Sequence, residues 1–272
     1  MPSSSEAAGP PAWATGAPGV EITLDAGLLR VRFDRPETYN GLDAAVVEAC
    51  SATLERCRGR DDVRVVVLTG TGPAFSSGAT VAGDDPVASF DRQAVERANR
   101  LVRAVVALDK PVVAAVNGVA AGVGASLAFA CDLQVVAAEA SFALAFAKIG
   151  LMPDGGATAT VAAAIGRPRA MRLALTGERL GASEAYAAGL VSHLAEPGAY
   201  ETTLAAVTTG LLAGAPLAHS AAKKAVNAAT LGALEDALDR ENLGQLALLG
   251  TADAAEGMAA FVARRPPRFT GR

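Results

Sequence analysis

The sequence predicts an α/β protein built on a partly parallel sheet, and three observations carry that expectation. Short apolar runs rich in β-branched residues at 63–68, 111–116 and 133–137 have the composition of strands buried on both faces. Helical patterns separate them, and strand–helix–strand alternation argues for right-handed crossovers within one sheet. Of the 272 residues 51% are apolar and 28 are glycine, enough to bury a sizeable core. Aromatic residues make up only 4%. The core must therefore be mostly Ala, Val and Leu, whose small side chains let layers approach closely.

Residues 1–19 are rich in Pro, Ala, Ser and Gly, without a basic start or an apolar stretch, and read as a flexible leader rather than a secretory signal. Residues 22–24 and 28–33 form a hairpin turning at 25–27, since Leu29, Val31 and Phe33 alternate with Arg30 and Arg32. Asp43 caps a helix running to about Arg58, with Val46, Val47, Cys50, Leu54 and Cys57 as its apolar stripe. The strand at 63–68 exits into a turn-rich loop over 70–78. An amphipathic helix from about Phe90 to Leu108 leads to the strand at 111–116, which exits into the glycine-rich segment 117–124. A short helix of small residues over 123–130 and the strand at 133–137 follow, with 142–146 as a possible fourth strand. Helices dominate from Ala157, broken at 166–168, 177–181, 198, 214–216 and 250. No repeat of fixed period and no long linker occur. The chain divides into the leader, a core over 20–200, and a helical region over 201–272 that forms a subdomain or an oligomerisation arm.

Composition excludes several function classes. The net charge is −4, and no basic run longer than two residues precedes the tail, so no nucleic-acid partner is expected. Apolar stretches are interrupted well short of ~18 residues, so no membrane partner is expected either. Cys50, Cys57 and Cys131 are an odd number without a CxxC pair, which argues against disulfide frameworks and points to a reducing, cytoplasmic setting. Gly122-Val-Gly124 fails as a dinucleotide fingerprint because Leu127 stands where the third glycine belongs. Ser126 lies about ten residues beyond the end of its strand, too far for a nucleophile elbow. With two histidines, His193 and His219, and no HExxH motif, a catalytic metal is not expected.

What remains is a pair of glycine-flanked loops, Ser77-Gly78-Ala79 and Gly122-Val123-Gly124, each following a buried strand. Ligand chemistry in parallel sheets gathers beyond the carboxyl ends of strands. The second loop opens a helix, so the N–H groups near Val123 lack intrahelical partners and sit at the positive end of the dipole. If the Ala79 amide converges on the same point, the two form an oxyanion hole worth roughly 3 kcal/mol per donor. On spacing alone, two ordinary glycine turns are the simpler description.

Several longer segments change that weighting. They are Arg35-Pro-Glu-Thr-Tyr-Asn40-Gly-Leu42, the stretch Val67 to Ala79, the stretch Pro111 to Gly124, Ile149-Gly-Leu-Met-Pro-Asp-Gly-Gly156, Ala187-Ala-Gly-Leu-Val191 and Glu256-Gly-Met-Ala-Ala-Phe261. In this order they resemble the signatures of the crotonase (enoyl-CoA hydratase/isomerase) superfamily, over a match from about Ile22 to the C-terminus. The resemblance implies a crotonase (ClpP-like) ββα spiral with a helical C-terminal trimerisation region, assembled as a homotrimer or a dimer of trimers. It implies an acyl-CoA thioester as substrate, with CoA part of that substrate and no separate cofactor. The oxyanion donors fall on the backbone N–H groups of Ala79 and Val123, the latter where the family usually has Gly. Ser77, Gly78, Gly122 and the basic Arg264 fall at CoA-binding positions, with Arg265 and Lys223 as weaker basic candidates, and Ser126, Phe146 and Met152 line the acyl pocket.

The departures from the family pattern are as informative. Ser126 and Phe146 stand where hydratases of this family carry their two acid–base glutamates, so hydration by the usual route is not expected. Asp154 remains, at a position where some family isomerases and aryl-CoA dehalogenases place a catalytic aspartate. A 1,3-proton shift needs a single base, and Leu151, Met152 and Phe146 would desolvate it. Alternatively, Asp154 caps the helix that begins near Gly155 or Gly156. A dehalogenase would need an aromatic cradle that this aromatic-poor chain hardly offers. The expectation is double-bond isomerisation through an enolate, with a non-catalytic acyl-CoA-binding homologue as the alternative.

Overall fold

The computed structural model describes residues 10–80 and 93–272. Strand β1 (Val20–Asp25) pairs antiparallel with β2 (Leu28–Phe33), with Ile22 opposite Val31. To β2 are added, all in parallel, β3 (Val65–Gly70), β5 (Val112–Val116), β7 (Leu133–Val136) and β10 (His193–Leu194). Alternate residues feed opposite faces, and both faces are covered. Val66, Leu68, Ala114, Val116 and Val136 join the main core. Val65, Val67, Val113, Ala115 and Val135 form a second cluster with Leu204 of helix α6 (Tyr200–Ala213).

A second, smaller sheet lies mostly within segments that the sequence reads as loops and breaks. Strands β4 (Ala74–Ser76), β6 (Val119–Ala121) and β8 (Ser141–Ala143) run parallel, and β9 (Arg179–Gly181) closes the edge antiparallel to β8. Each successive turn of chain therefore contributes a long strand, a short strand and a helix or helical turn, which is the expected ββα spiral. Strands of two or three residues carry no periodicity, so β4, β6, β9 and β10 are invisible to pattern reading. The strand expected over 142–146 is shorter: β8 ends at Ala143, and Ala145–Ile149 turns as a 3-10 helix.

Helix α1 (Ala44–Cys57) begins as expected, with Asp43 Oδ1 accepting the Val46 N–H at 2.9 Å and the Asp43 carboxylate paired with Arg35. Burial pushes the Cys50 thiol up to about 12, so it behaves as a core residue rather than a nucleophile. Helix α2 is Ala94–Ala107, and the start expected at Phe90 lies outside the described residues. Helix α3 is Val123–Ala130. Helix α4 (Ala157–Thr176) is kinked at Gly166, where φ is 75° just before Pro168, at the expected break. Helices α5 (Ala182–Ala187), α6, α7 (Pro216–Thr230), α8 (Leu234–Leu248) and α9 (Ala252–Val262) complete the chain. No single helix among the described residues is long and apolar enough to cross a membrane. The described part of the expected leader, 10–19, lies against α1: the Thr15 N–H donates to Thr53 Oγ1 at 3.1 Å, and Arg60 stacks on the Trp13 ring at 4.6 Å.

One buried side chain fastens the first glycine loop. Asn40 has φ of 59°, a left-handed conformation that asparagine tolerates better than most residues. Its Oδ1 accepts the Arg35 N–H at 2.9 Å, and its Nδ2 donates to the carbonyls of Thr71 at 2.9 Å and Ala74 at 2.7 Å. Its own carbonyl accepts the Ser76 hydroxyl at 2.8 Å. Asn40→Ala removes the side-chain bonds and leaves buried groups unpaired. We expect a loss of about 3 kcal/mol in stability, measured by urea titration.

Candidate active site

Because β4 and β6 are parallel neighbours, their carboxyl ends emerge side by side, and Ser77-Gly78-Ala79 meets Gly122-Val123. The contact is close. Gly78 has φ of 90°, and a Cβ there would stand 2.7 Å from the Ala121 carbonyl oxygen and 3.2 Å from the Val123 nitrogen. The first loop is held by the Leu42 N–H on the Gly78 carbonyl at 2.8 Å and by the Gly78 N–H on Ser76 Oγ at 3.1 Å. Val123 is the first residue of α3, so its N–H has no acceptor within the helix. Among the described residues, neither the Ala79 nor the Val123 N–H donates to another group.

Two cavities flank this point. The larger, about 580 Å³, runs between Thr38, Ser77, Gly122, Phe146, Lys148 and Arg264. The smaller, about 40 Å³, is mostly apolar and lies between Leu42, Val47, Ala98, Leu101 and Leu127. Ala79, Val123 and Asp154 line both.

Other residues singled out in the sequence sit elsewhere. Ser126 is fully buried, its hydroxyl turned back onto the Gly122 carbonyl at 3.3 Å, and it lines neither cavity. Met152 also lines neither, because its sulfur packs on Gly244 of α8. Lys223 is buried in an ion pair with Asp132 at 2.8 Å and donates to the Val105 carbonyl at 2.9 Å, which ties α7 to the spiral and removes it from any ligand surface. Arg265 pairs with Glu256 at 2.6 Å on a separate surface depression. Neither histidine lines either of these two cavities.

The segment 150–158 carries Asp154 past Val123 and Ser126, so closely that a Cβ on Gly155 would lie 3.0 Å from Ser126 Cβ and 3.2 Å from Val123 Cγ2. Asp154 does not cap α4. The N-cap is Gly156, and the cap is supplied from another helix. Glu241 of α8 accepts the Gly156 N–H at 2.7 Å on one carboxylate oxygen. Its other oxygen accepts the Thr158 N–H at 2.9 Å and the Thr158 hydroxyl at 2.5 Å. Burial raises the pKa of Glu241, against the pull of these donors. Asp154 is thereby left free of the helix. Its Oδ2 accepts a hydrogen bond from Gln245 Nε2 at 2.8 Å, and its Oδ1 is buried with no partner among the described residues. Gln245 in turn accepts the Met152 N–H on Oε1 at 3.2 Å. Burial pushes the Asp154 carboxyl up to about 7. The Gln245 bond opposes the rise, and the charge of Glu241 adds to it.

Glu241 and Gln245 are the functional-site residues that sequence reasoning missed. A signal was present: with Leu234, Ala237 and Leu238 they occupy one buried stripe of α8, so two polar residues stand at core-facing helical positions.

The ββα spiral thus brings the loops carrying Ala79 and Val123 beside the buried carboxyl of Asp154. The chain belongs to the enoyl-CoA hydratase/isomerase family, whose sequence pattern matches residues 23–272. It is 40% identical to a probable enoyl-CoA hydratase of Rhodobacter capsulatus, over 93% of this chain and 98% of that protein. It is 34% identical to 1,2-epoxyphenylacetyl-CoA isomerase of Escherichia coli, over 92% and 97% of the two chains. It is also similar to the crystal structure of an enoyl-CoA hydratase from Mycobacterium avium subsp. paratuberculosis, with a TM-score of 0.89 and 45% identity over 94% of this chain and all of that one.

The raised Asp154 pKa has a stability consequence. An unfolded chain releases this proton near 3.8, whereas the folded chain keeps it until about 7. The contribution of Asp154 to stability therefore falls as pH rises between those values and stays low above them. Asp154→Asn removes the penalty. We expect the variant to be more stable than the parent by order 4 kcal/mol at pH 8 and by little at pH 4, compared by denaturant titration at both.

Proposed function

We propose that this protein isomerises an enoyl-CoA thioester by a 1,3-proton shift through an enolate, with Asp154 as the proton carrier. The observation that carries the reading is a buried carboxyl, poised to titrate near neutrality, that lines both cavities together with Ala79 and Val123. The thioester oxygen accepts the N–H groups of Ala79 and Val123. The Asp154 carboxylate takes a proton from C2 of a 3-enoyl thioester, and the C–H electron pair moves into the carbonyl to give a dienolate whose charge rests on the thioester oxygen. The resulting carboxylic acid returns a proton to C4, leaving a 2-enoyl thioester. No water is consumed, and one group serves both transfers. Lys148 and Arg264 on the larger cavity supply positive charge for the CoA phosphates, and the smaller apolar cavity receives the start of the acyl tail.

Hydration is the less supported chemistry. At the two positions the family resemblance gives to hydratase glutamates, Ser126 offers a hydroxyl already bonded to Gly122, and Phe146 offers only carbon. Among the relatives, the Escherichia coli protein is named an isomerase, as is a trans-2-decenoyl-[acyl-carrier-protein] isomerase of Streptococcus mutans, 32% identical over 92% of this chain and 97% of that one. The Rhodobacter capsulatus relative is named a probable hydratase.

The test gives purified protein 3-enoyl-CoA and 2-enoyl-CoA separately. Conversion of the first to the second is expected, without accumulation of 3-hydroxyacyl-CoA. Asp154→Asn is expected to lower kcat by roughly 10²–10⁴-fold while binding of a saturated acyl-CoA stays within about twofold. Since the carboxylate is the reactive form, kcat/KM should rise with pH and level off above about 7. Fast hydration of 2-enoyl-CoA would overturn the reading. Acyl-CoA binding without turnover of either ester would instead identify a non-catalytic binder.

A further inference from the structure

The proton carrier of the proposed reaction is held from the C-terminal region. Gln245 is fully buried on α8, and both ends of its amide are committed. A main-chain N–H can only donate, so the Met152 N–H fixes which end of the amide is the carbonyl. The NH₂ end must then face Asp154. An NH₂ group cannot accept, so Oδ2 of Asp154 can never carry a proton toward Gln245 in either protonation state. The remaining oxygen, Oδ1, is buried and has no partner among the described residues, and Asp154 lines both cavities. Four residues earlier on the same helix face, Glu241 grips Gly156 and Thr158. One face of α8 thus holds the Asp154 segment at Met152, Asp154, Gly156 and Thr158.

Resting on the isomerase reading above, we propose that Gln245 is a positioning residue: it keeps Oδ2 of Asp154 occupied, so that the proton removed from the substrate is carried on Oδ1 and delivered from there. In the forward step the substrate C–H bond breaks, an O–H bond forms at Oδ1, and the electron pair goes to the thioester. In the return step the Oδ1–H bond breaks and a C–H bond forms at the far carbon. Gln245 exchanges no proton. Among the described residues, the charged and titratable groups around Asp154 are these. Glu241 faces Asp154 from α8 and adds its charge. Glu37, Tyr39, Lys148 and Arg264 stand along the larger cavity, and Asp43 and Arg97 along the smaller.

The variant Gln245→Met keeps the length of the side chain and removes both hydrogen bonds. Losing a donor to the carboxylate disfavours the ionised form, so the acid limb of kcat/KM should move to higher pH by about one unit. Losing the orientation should lower kcat roughly tenfold or more, with KM within about threefold. Gln245→Glu keeps the acceptor for Met152 and sets a second carboxyl against Asp154, so its limb should move further up. Adding Gln245→Met to Asp154→Asn should cost little more, since both act through one group.

An unchanged limb in a folded Gln245→Met protein overturns the proposal, as does a loss confined to KM. If Gln245→Met does not fold, Gln245→Glu decides alone, and a limb at the parental pH overturns the proposal. The two readings fail differently: activity retained in Asp154→Asn removes the base assignment, whereas Asp154→Asn inactive with parental behaviour in both Gln245 variants removes only the role of Gln245.

Discussion

Parallel pairing of two three-residue strands, β4 and β6, is the constraint on which the rest depends. Parallel neighbours end on the same edge, so the two loops that follow them must meet, and they do so closely enough that a Cβ on Gly78 would stand 3.2 Å from the Val123 nitrogen. Strand β8 extends the same edge and delivers Phe146. Antiparallel pairing would have sent these loops to opposite ends of the sheet. The larger sheet beneath, with Ala and Val on both faces, is the rigid layer from which the short strands project.

The same assembly makes the Asp154 carboxyl costly to ionise. It is surrounded by apolar walls, has one hydrogen bond where an exposed carboxylate would have several, and lies near a second buried acid. Such a group lowers the stability of the fold at neutral pH, and stabilisation at other points offsets it. The α4 N-terminus is capped by Glu241, Asn40 locks the first loop, and Lys223 reaches through α7 to Asp132. That distribution is common where a buried titrating group serves chemistry.

The long elements were legible because their periodicity is strong. The hairpin, the buried strands, α1 with its Asp43 cap and the glycine breaks between C-terminal helices all follow local rules. The short strands were not legible, since three residues cannot display alternation and their pairing is entirely tertiary. At the site, Ala79, Val123, Phe146, Arg264 and Asp154 could be singled out, and all five line the larger cavity. Ser126 and Met152 face away because helix rotation and a glycine on α8 decide their direction, which sequence order does not reveal. The cap of α4 illustrates the limit. Asp is a favoured local cap, but Glu241, a carboxylate 85 positions beyond Gly156, takes its place. Propensity describes neighbours in the chain and is silent about competitors that arrive through space.

The bracing of residues 150–158 by one face of α8 separates what builds the molecule from what makes it reactive. The spiral and its paired amides are complete without that face, which touches the carboxyl through a single glutamine. Changes confined to one late helix could therefore alter the setting of this carboxyl, while the surrounding spiral passes unaltered to its descendants.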